Sequence, residues 1–558
     1  MSKKNLLLKK IQNLRKKQMT FKDRMLLAVA SIGAVLLVFF ICYLIVYSYS
    51  QRNIAHFLPA KDTVSYIEFE NFNLQPKLES SEEMIQTMIQ TSLKNLLNTE
   101  NSTDITSWAN GRFGFALIES DSANSPVYFI QTKSRSKALK FFNQLALPNE
   151  EIIKSDKTSS AIYSYSQSQL FHFTFIGPHA FISMDQKALQ KIQDVYANKI
   201  GILSEDEKYE KSWGNLPRSS WMRAYVNFQA LKFKSIQVNN IVEPLKSIIN
   251  HFAITVRQNP NGFHFNVFAN LNKDVLELQE GYKGNSKFAY NLTDFISSKD
   301  LALYIGGANL SQEWQNTLST ISNLNPAYGI ILESIVRAQV SNVFGRDVSL
   351  RNDFYPLFEG EYALAIGNTE DGLKDVRLIL SNSDKSFAEK KLAKMMDGFK
   401  VLAARFAPKI HKVLLPDGTE SIELIADNTK LEEGKETYEG YDIHCIDIQG
   451  TSSGFCYTVT DELIVMTNNK EAVINTIDMT ISPEFTLSQY QPFRQTISNL
   501  SKISDEITFM DIQNFIPFIE TSDYGLLAKP FLEKFDAVSW VKHYFDDGVS
   551  AEGYVLIK

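Results

Sequence analysis

Apolar and polar positions follow one order of patterns along most of the chain, and the same order occurs twice. A short strand with alternating apolar residues opens each pattern, at Val64–Phe69 and again at Leu301–Ile305. A helix, two strands, a second helix, a hairpin, a third helix, another strand, a helix that begins at proline and a final hairpin follow in both. Because short turns connect many of the strands, we expect antiparallel sheets with helices on one face, the α+β class.

The two patterns also share matched residues in the same order. Three pairs of positions mark the match: Asp62 with Asp300, Gly111 with Gly360, and Val226 with Met510. A duplication of this length predicts two tandem copies of one domain. We place copy 1 at residues 57–272, a polar linker at 273–291 and copy 2 at 292–558.

Copy 2 is longer than copy 1, because the separation of the matched pairs grows along the chain. The extra residues fall near 328–344, where the pattern predicts a helix, and near 410–439, where it predicts an extended hairpin. A separate capping box, formed by Ser386 and Glu389, opens a predicted helix that ends at Phe406.

Ahead of the two copies, Met25–Tyr49 is almost entirely apolar and carries no charge. About 20 such residues span the hydrocarbon core of a bilayer as a helix. A signal peptide has a shorter apolar core and a cleavage site of small residues. The run therefore predicts an uncleaved single-pass transmembrane anchor at residues 25–49, with a buried core helix as the alternative.

Charge is distributed unevenly about this run. Residues 1–24 carry nine Lys and Arg against Asp23, a net +8, so a formal total of -6 leaves -14 for the remainder. The positive-inside rule then places a basic segment, 1–24, in the cytoplasm and residues 50–558 outside the membrane. The basic residues either contact anionic lipid or only set the orientation.

Composition restricts the class of function. An acidic bulk has no electrostatic footprint for nucleic acid. The hydrophobic content of 44% and the aromatic content of 12% are those of a chain with packed cores rather than of a disordered one.

One segment matches a catalytic motif by its letters. Gly450–Gly454 reads G-x-S-x-G, the nucleophile elbow of hydrolases, with Ser452 in the place of the nucleophile. In those enzymes a helix follows the motif, whereas here the residues after Gly454 have a strand pattern. We therefore interpret the segment as a hairpin turn.

No other segment predicts chemistry. The eight histidines form no zinc spacing, and no phosphate-binding glycine loop is present. The sequence Asp546-Asp547-Gly548 is typical of a turn rather than of a calcium loop. We predict no catalytic, cofactor-binding or metal residue and no cofactor.

The cysteines make one structural prediction. Cys42 lies inside the apolar run, while Cys445 and Cys456 lie on the two arms of one predicted hairpin. A two-residue turn at Gly450-Thr451 places these two cysteines directly opposite each other, at a distance that suits a disulfide. A longer turn, at 451–454, shifts the register and separates the sulfurs.

Two segments resemble an uncharacterised bacterial family. They are the opening Leu58-Pro59-Ala60-x-Asp62-Thr63-x-x-Tyr66-Ile67 and the stretch Asp461–Val473. That family consists of membrane-anchored, exported and internally duplicated proteins, known only as a domain of unknown function. The resemblance implies a bacterial protein of the inner membrane whose bulk is periplasmic, and it supplies no catalytic residue.

These observations favour a non-enzymatic, membrane-anchored protein that binds other proteins. We expect a subunit of an envelope membrane complex or an accessory or chaperone of protein export. Its expected partners are envelope or membrane proteins, including the export machinery, together with membrane lipid. The alternative is an anchored hydrolase that acts on an envelope polymer. Paired carboxylates in a pocket would favour the hydrolase, and an exposed apolar patch would favour protein binding.

Overall fold

The fold is that of a computed structural model, which describes most of the chain from residue 53 to residue 558. The described ranges are 53–70, 108–120, 123–144, 152–155, 161–165, 171–217, 219–231, 246, 248–272, 289–324, 326–368, 374–406, 409–416, 419–425, 431–449, 454–501, 506–520, 529–530, 532–545 and 547–558.

The first ten strands lie within residues 63–271. They are β1 Thr63–Phe69, β2 Ala109–Ser120, β3 Ala123–Thr132, β4 Ile152–Lys154, β5 Ile162–Tyr165, β6 His172–Ile176, β7 His179–Ser183, β8 Met222–Asn227, β9 Ile249–Asn259 and β10 Gly262–Leu271. The helices described among them are α1 Arg135–Gln144, α2 Gln186–Tyr196 and α3 Glu207–Gly214.

The remaining strands lie within residues 301–557. They are β11 Leu301–Ala308, β12 Glu361–Asn368, β13 Lys374–Ser381, β14 Lys409–Leu414, β15 Glu420–Ile425, β16 Leu431–Tyr438, β17 Tyr441–Ile448, β18 Gly454–Val459, β19 Leu463–Thr467, β20 Glu506–Asp511, β21 Phe535–Phe545 and β22 Gly548–Ile557. The helices described here are α4 Leu310–Leu324, α5 Pro326–Phe344, α6 Lys385–Phe406, α7 Lys470–Ile481, α8 Gln491–Ile497 and α9 Ile512–Ile519. A π-helical turn, Leu350–Phe354, and a 3₁₀ turn, Tyr355–Phe358, follow α5.

Strand pairing repeats between the two halves. In the first half the hydrogen-bonded order is β4–β5–β6–β7–β3–β2–β1–β8–β9–β10. In the second half it is β16–β17–β18–β19–β13–β12–β11–β20–β21–β22. Each strand of the first half thus has a counterpart at the same place in the second, and β14 and β15, which pair only with each other, are additional.

Backbone contacts outside the strands repeat as well. The amide of Leu203 donates to the carbonyl of Leu58 at 2.9 Å, and the amide of Leu487 donates to that of Ile296 at 2.8 Å. An isolated β-bridge lies beside each contact, Pro59 with Ile202 in the first half and Ser297 with Thr486 in the second.

The two halves share one sheet, whereas the sequence predicts a separate sheet for each half. Strand β10 pairs antiparallel with β22 over its whole length, from Gly262 opposite Leu556 to Asn270 opposite Gly548. Twenty strands therefore belong to one sheet. An unpaired edge strand exposes a row of backbone amides and carbonyls. The pairing of β10 with β22 satisfies these groups on the last strand of each half. The prediction of two separate tandem sheets is wrong for this reason.

The predicted transmembrane anchor also requires correction. In the ranges that the structure describes, no helix is long and apolar enough to cross a membrane. Residues 25–49, on which that prediction depends, lie outside these ranges. The anchor, the single-pass topology and the inner-membrane and periplasmic location are accordingly not retained.

Two compact units divide the described residues. The first contains residues up to 61, 94–110 and 129–205. An aromatic core fills it, in which the rings of Phe142 and Phe173 stack at 4.4 Å and Trp108 and Phe141 pack beside Phe142.

The second unit contains residues 62–93, 111–128 and 206–558. Its sheet carries an apolar cluster on each face, because neighbouring residues of a strand point to opposite sides. Tyr362 belongs to the cluster that α5 and α6 cover, and the adjacent Ala363 belongs to the cluster under α8. The prediction of helices on one face is thus also incorrect for this half of the chain.

Candidate functional site

The two predicted disulfide cysteines lie in adjacent strands. Cys445 of β17 is the direct partner of Cys456 of β18, Ile446 faces Phe455, and the two sulfurs are bonded at 2.07 Å. Both cysteines are buried against α7. The register is the one that a two-residue turn at Gly450-Thr451 implies, although residues 450–453, including Ser452, lie outside the described ranges.

The matched aspartates lie at turns. The carbonyl of Asp62 accepts a hydrogen bond from the amide of Glu119 at 2.7 Å, and that of Asp300 accepts one from Asn368 at 3.0 Å. Asp300 has a left-handed backbone, with φ of 59°, a conformation that Asp tolerates better than most residues. Both positions supply a backbone acceptor at a turn.

Helix α5, within the first insertion of copy 2, exposes an apolar surface. Tyr328, Ile330, Ile331 and Ile335 are 53%, 66%, 52% and 52% exposed. We call these four residues the α5 stripe. Large apolar side chains exposed together on one element mark an interaction site more often than isolated ones do.

The opposite side of α5 is apolar too, and it is packed. Val336, Val340 and Phe344 contact the cluster under α5 and α6. The backbone of α5 comes so close to α6 there that a Cβ on Gly398 would collide with the carbonyl oxygen of Phe344. The inner face thus holds α5 firmly in place while its outer face stays exposed.

A pocket of about 460 Å³ lies beside α5, between α4 and the turns that follow α5. Its lining residues are Ser311, Gln315, Leu318, Ser319, Ser322, Glu333, Arg351, Tyr355, Pro356 and Glu359. Glu333 accepts hydrogen bonds from Arg337 at 3.0 Å and Arg351 at 3.1 Å. Burial raises the pKa of Tyr355 above its usual value.

The second insertion forms a two-stranded arm, β14 and β15, which we call the arm. Ile410, Leu414 and Ile422 share one face of it, since Lys412 is the direct partner of Ile422. Their side chains are 67%, 70% and 64% exposed. A lone two-stranded hairpin is at best marginally stable in water, so a partner that covers this face would stabilise it.

A polar cluster occupies the seam between β10 and β22, and we call it the seam cluster. His264 Nε2 lies 2.8 Å from Glu552 Oε1, and Arg257 Nη2 hydrogen-bonds His264 Nδ1. Arginine can only donate, so Nδ1 accepts and the proton on Nε2 points to Glu552. His543 Nε2 lies 3.8 Å from the other carboxylate oxygen.

These partners determine the ionisation of Glu552. Burial alone would raise its pKa, but the hydrogen bonds from His264 and from the amide of Ser501, together with the nearby His543 ring, outweigh burial and lower the pKa to about 2. The carboxylate is therefore charged at neutral pH and links residues from the two halves of the chain. Sequence reasoning missed this cluster, since His264 and Glu552 are far apart in the chain and form no motif.

The described ranges contain no group of three His, Cys, Asp or Glu side chains placed to hold a metal ion. The pocket beside α5 does contain two carboxylates, Glu333 and Glu359. Since Glu333 is already paired with two arginines, it is poorly placed to serve as a general acid.

Comparison with known proteins identifies the family. Residues 65–400 match the family described as "Protein of unknown function (DUF3352)". The chain belongs to this family. The matched residues include α5 and the pocket beside it, whereas the arm and the second half of the seam lie beyond them.

The other comparisons add little. A comparison with curated proteins finds no significant match. Among solved structures, crystal form III of TP0453 matches with 9% identity and a TM-score of 0.26, covering 44% of this chain and 84% of that one. Crystal form I of TP0453 matches with 9% identity and a TM-score of 0.24, covering 43% and 83%. At this level of similarity neither match carries an argument about fold or function.

Proposed function

We propose that this chain is a non-enzymatic protein that binds other proteins through the insertions of its second half. The observation that carries the proposal is where the large exposed apolar side chains occur. Among the residues that the structure describes, half of them lie in only two short segments: four on α5 and four at or beside the arm, namely Ile410, Leu414, Leu415 and Ile422. The two strands of the arm have no counterpart among the strands described in the first half.

Apolar exposure of this kind costs solubility unless a partner covers it. The arm adds a second argument, because both faces of β14 contact water and one face of the arm carries the exposed side chains of Ile410, Leu414 and Ile422 around the ion pair of Lys412 with Glu420. An extended, partly apolar hairpin can dock into a groove or accept a further strand from a partner. Binding would then stabilise the arm as well as the complex.

The proposal is tested by site-specific photocrosslinking in cells. A photoreactive phenylalanine analogue replaces Ile422 on the arm, and in a second variant it replaces Met184, which is 56% exposed in the first half. We expect adducts with one or a few discrete proteins from position 422 and no discrete adduct from position 184. The same yield at both positions would contradict the proposal.

A pair of charge variants completes the test. Ile422→Lys should abolish the complexes, since it replaces an apolar side chain by a second positive charge directly opposite Lys412, whereas Ile153→Lys, at a position that is 55% exposed in the first half, should leave them intact. Complexes that survive Ile422→Lys would show that the arm is not the binding element.

A further inference from the structure

Helix α5 is apolar on both sides, which a helix at the surface of an isolated protein rarely is. Val336 and Val340 face the core, while Tyr328, Ile331 and Ile335 face outward. A helix that is hydrophobic all round is normally buried all round. One side of α5 therefore lacks the covering that its composition predicts.

The outward positions have the spacing of a helix-pairing seam. Tyr328, Ile331, Ile335, Ala338 and Asn342 follow one another at intervals of three and four residues, and all five are exposed. Such spacing keeps side chains on one face and is the pattern by which two helices pack along their length.

Charge is almost absent from this face. Among the exposed residues of α5, all of which the structure describes, Arg337 alone is charged, and it is paired with Glu333 at 3.0 Å. A partner with a strongly acidic or basic surface would find no complementary charge here. A twofold contact, in contrast, pairs two identical faces, so a face that carries almost no charge meets no like charge across the axis.

We propose that Tyr328, Ile331 and Ile335 of the α5 stripe are covered by α5 of a second copy of this chain, antiparallel across a twofold axis centred near Glu333. This inference rests on the proposed function, because it identifies the partner of α5, one of the two proposed binding segments. In this arrangement Ile331 lies against Ile335 of the second copy. Tyr328 lies against Ala338 of that copy, so a large side chain meets a small one.

The edge strand β16 shows why α5 is the better self-association surface. Glu432, Glu433 and Glu436 are exposed along it. A register of antiparallel self-pairing that sets Glu432 or Glu433 against Glu436 of the second copy places carboxylates opposite carboxylates, which is destabilising. The outer face of α5 has no such repulsion.

The first measurement is the solution mass of the full-length protein across a wide range of concentrations. We expect twice 63.4 kDa for the unmodified chain at high concentration. Ile331→Lys and Ile335→Lys should each raise the dissociation constant at least about tenfold, because the twofold axis buries the new charge twice. The matched control, Ile422→Lys on the arm, should keep the dimer. A monomer at every concentration would overturn the inference.

A cysteine pair tests the antiparallel register, in a Cys42→Ser background. Ser334 flanks the seam next to the axis, so Ser334→Cys should crosslink to its own copy on mild oxidation. Asn342→Cys should not, since nine residues from the axis at 1.5 Å each place the two copies about 27 Å apart. Equal crosslinking at both positions, with native circular dichroism, would refute the register.

These outcomes separate the inference from the proposed function. A monomeric protein that still forms Ile422 photoadducts with other proteins would overturn self-association and leave the proposed function standing. A dimer without such adducts would support self-association and contradict the wider role.

Discussion

Asn266 on β10 and Glu552 on β22 lie directly opposite each other. Each is the fourth residue after the glycine that opens its strand, Gly262 and Gly548 respectively. The pairing register of β10 with β22 is therefore symmetric about these two residues, and Glu552 of the seam cluster lies at its centre.

Removing the charge of Glu552 should destabilise the protein. In Glu552→Gln the amide nitrogen cannot accept the hydrogen bond from Ser501, which is 3.1 Å from Oε2, and the interaction with His264 loses its charge. We expect a loss of about 1–3 kcal/mol in the free energy of unfolding, measured with urea. Glu207→Gln, which removes an exposed pair with Lys211, is the control and should have no measurable effect. Equal effects would contradict a special role for the seam.

The contribution of Glu552 should also depend on pH. Its pKa in the folded protein is about 2, below the ordinary value of 4.5. A carboxyl whose pKa is lowered by folding stabilises the protein above pH 4.5, and this stabilisation is lost as the pH falls towards 2. The difference in unfolding free energy between the unmodified protein and Glu552→Gln should therefore shrink between pH 5 and pH 2, as urea titrations at several pH values would show. A difference that grows on acidification would contradict the assignment.

Helices and strands could be predicted from the sequence where the spacing of apolar residues within the element determines its type. The helix expected to end at Phe406 is α6, which begins at Lys385, and the helix expected near 328–344 is α5. The recurring strand order was also foreseen, because matched residues such as Gly111 and Gly360 preserve it. In each case the information lies within a few neighbouring residues or in a direct comparison of segments.

The joining of the halves was not predictable in the same way. Pairing of β10 with β22 links residues almost three hundred positions apart, and both strands carry ordinary strand patterns. Nothing in the spacing of His264 and Glu552 indicates that they meet. Helices on both faces were missed because strands such as β19 are buried at every position, which removes the alternation that would mark one face as solvated.

The disulfide should stabilise the second half of the chain. Cys445 and Cys456 are separated by 11 positions, and closing so short a loop contributes about 2–3 kcal/mol. Replacing both residues by alanine should lower the free energy of unfolding by this amount, in urea titrations of oxidised protein. A reducing agent should lower the stability of the unmodified chain and not that of the double variant. Free thiols at both positions, found by mass spectrometry of protein taken directly from cells, would contradict the bond.

The crossing of α5 and α6 should be intolerant of any side chain at Gly398. Alanine favours a helix over glycine by about 1 kcal/mol, so Gly398→Ala would stabilise an isolated α6. In the folded protein its Cβ would instead collide with the carbonyl oxygen of Phe344, a backbone atom that cannot rotate away. We expect Gly398→Ala to lower the free energy of unfolding by about 1–3 kcal/mol, because α5 must shift from its site. Gly434→Ala on β16, where no atom lies within 4 Å of the new methyl group, is the control and should be nearly neutral. If Gly398→Ala also weakens self-association while Gly434→Ala does not, the position of α5 on the core controls the surface that α5 presents. An unchanged free energy of unfolding in Gly398→Ala would show that the contact with α6 does not hold α5 in place.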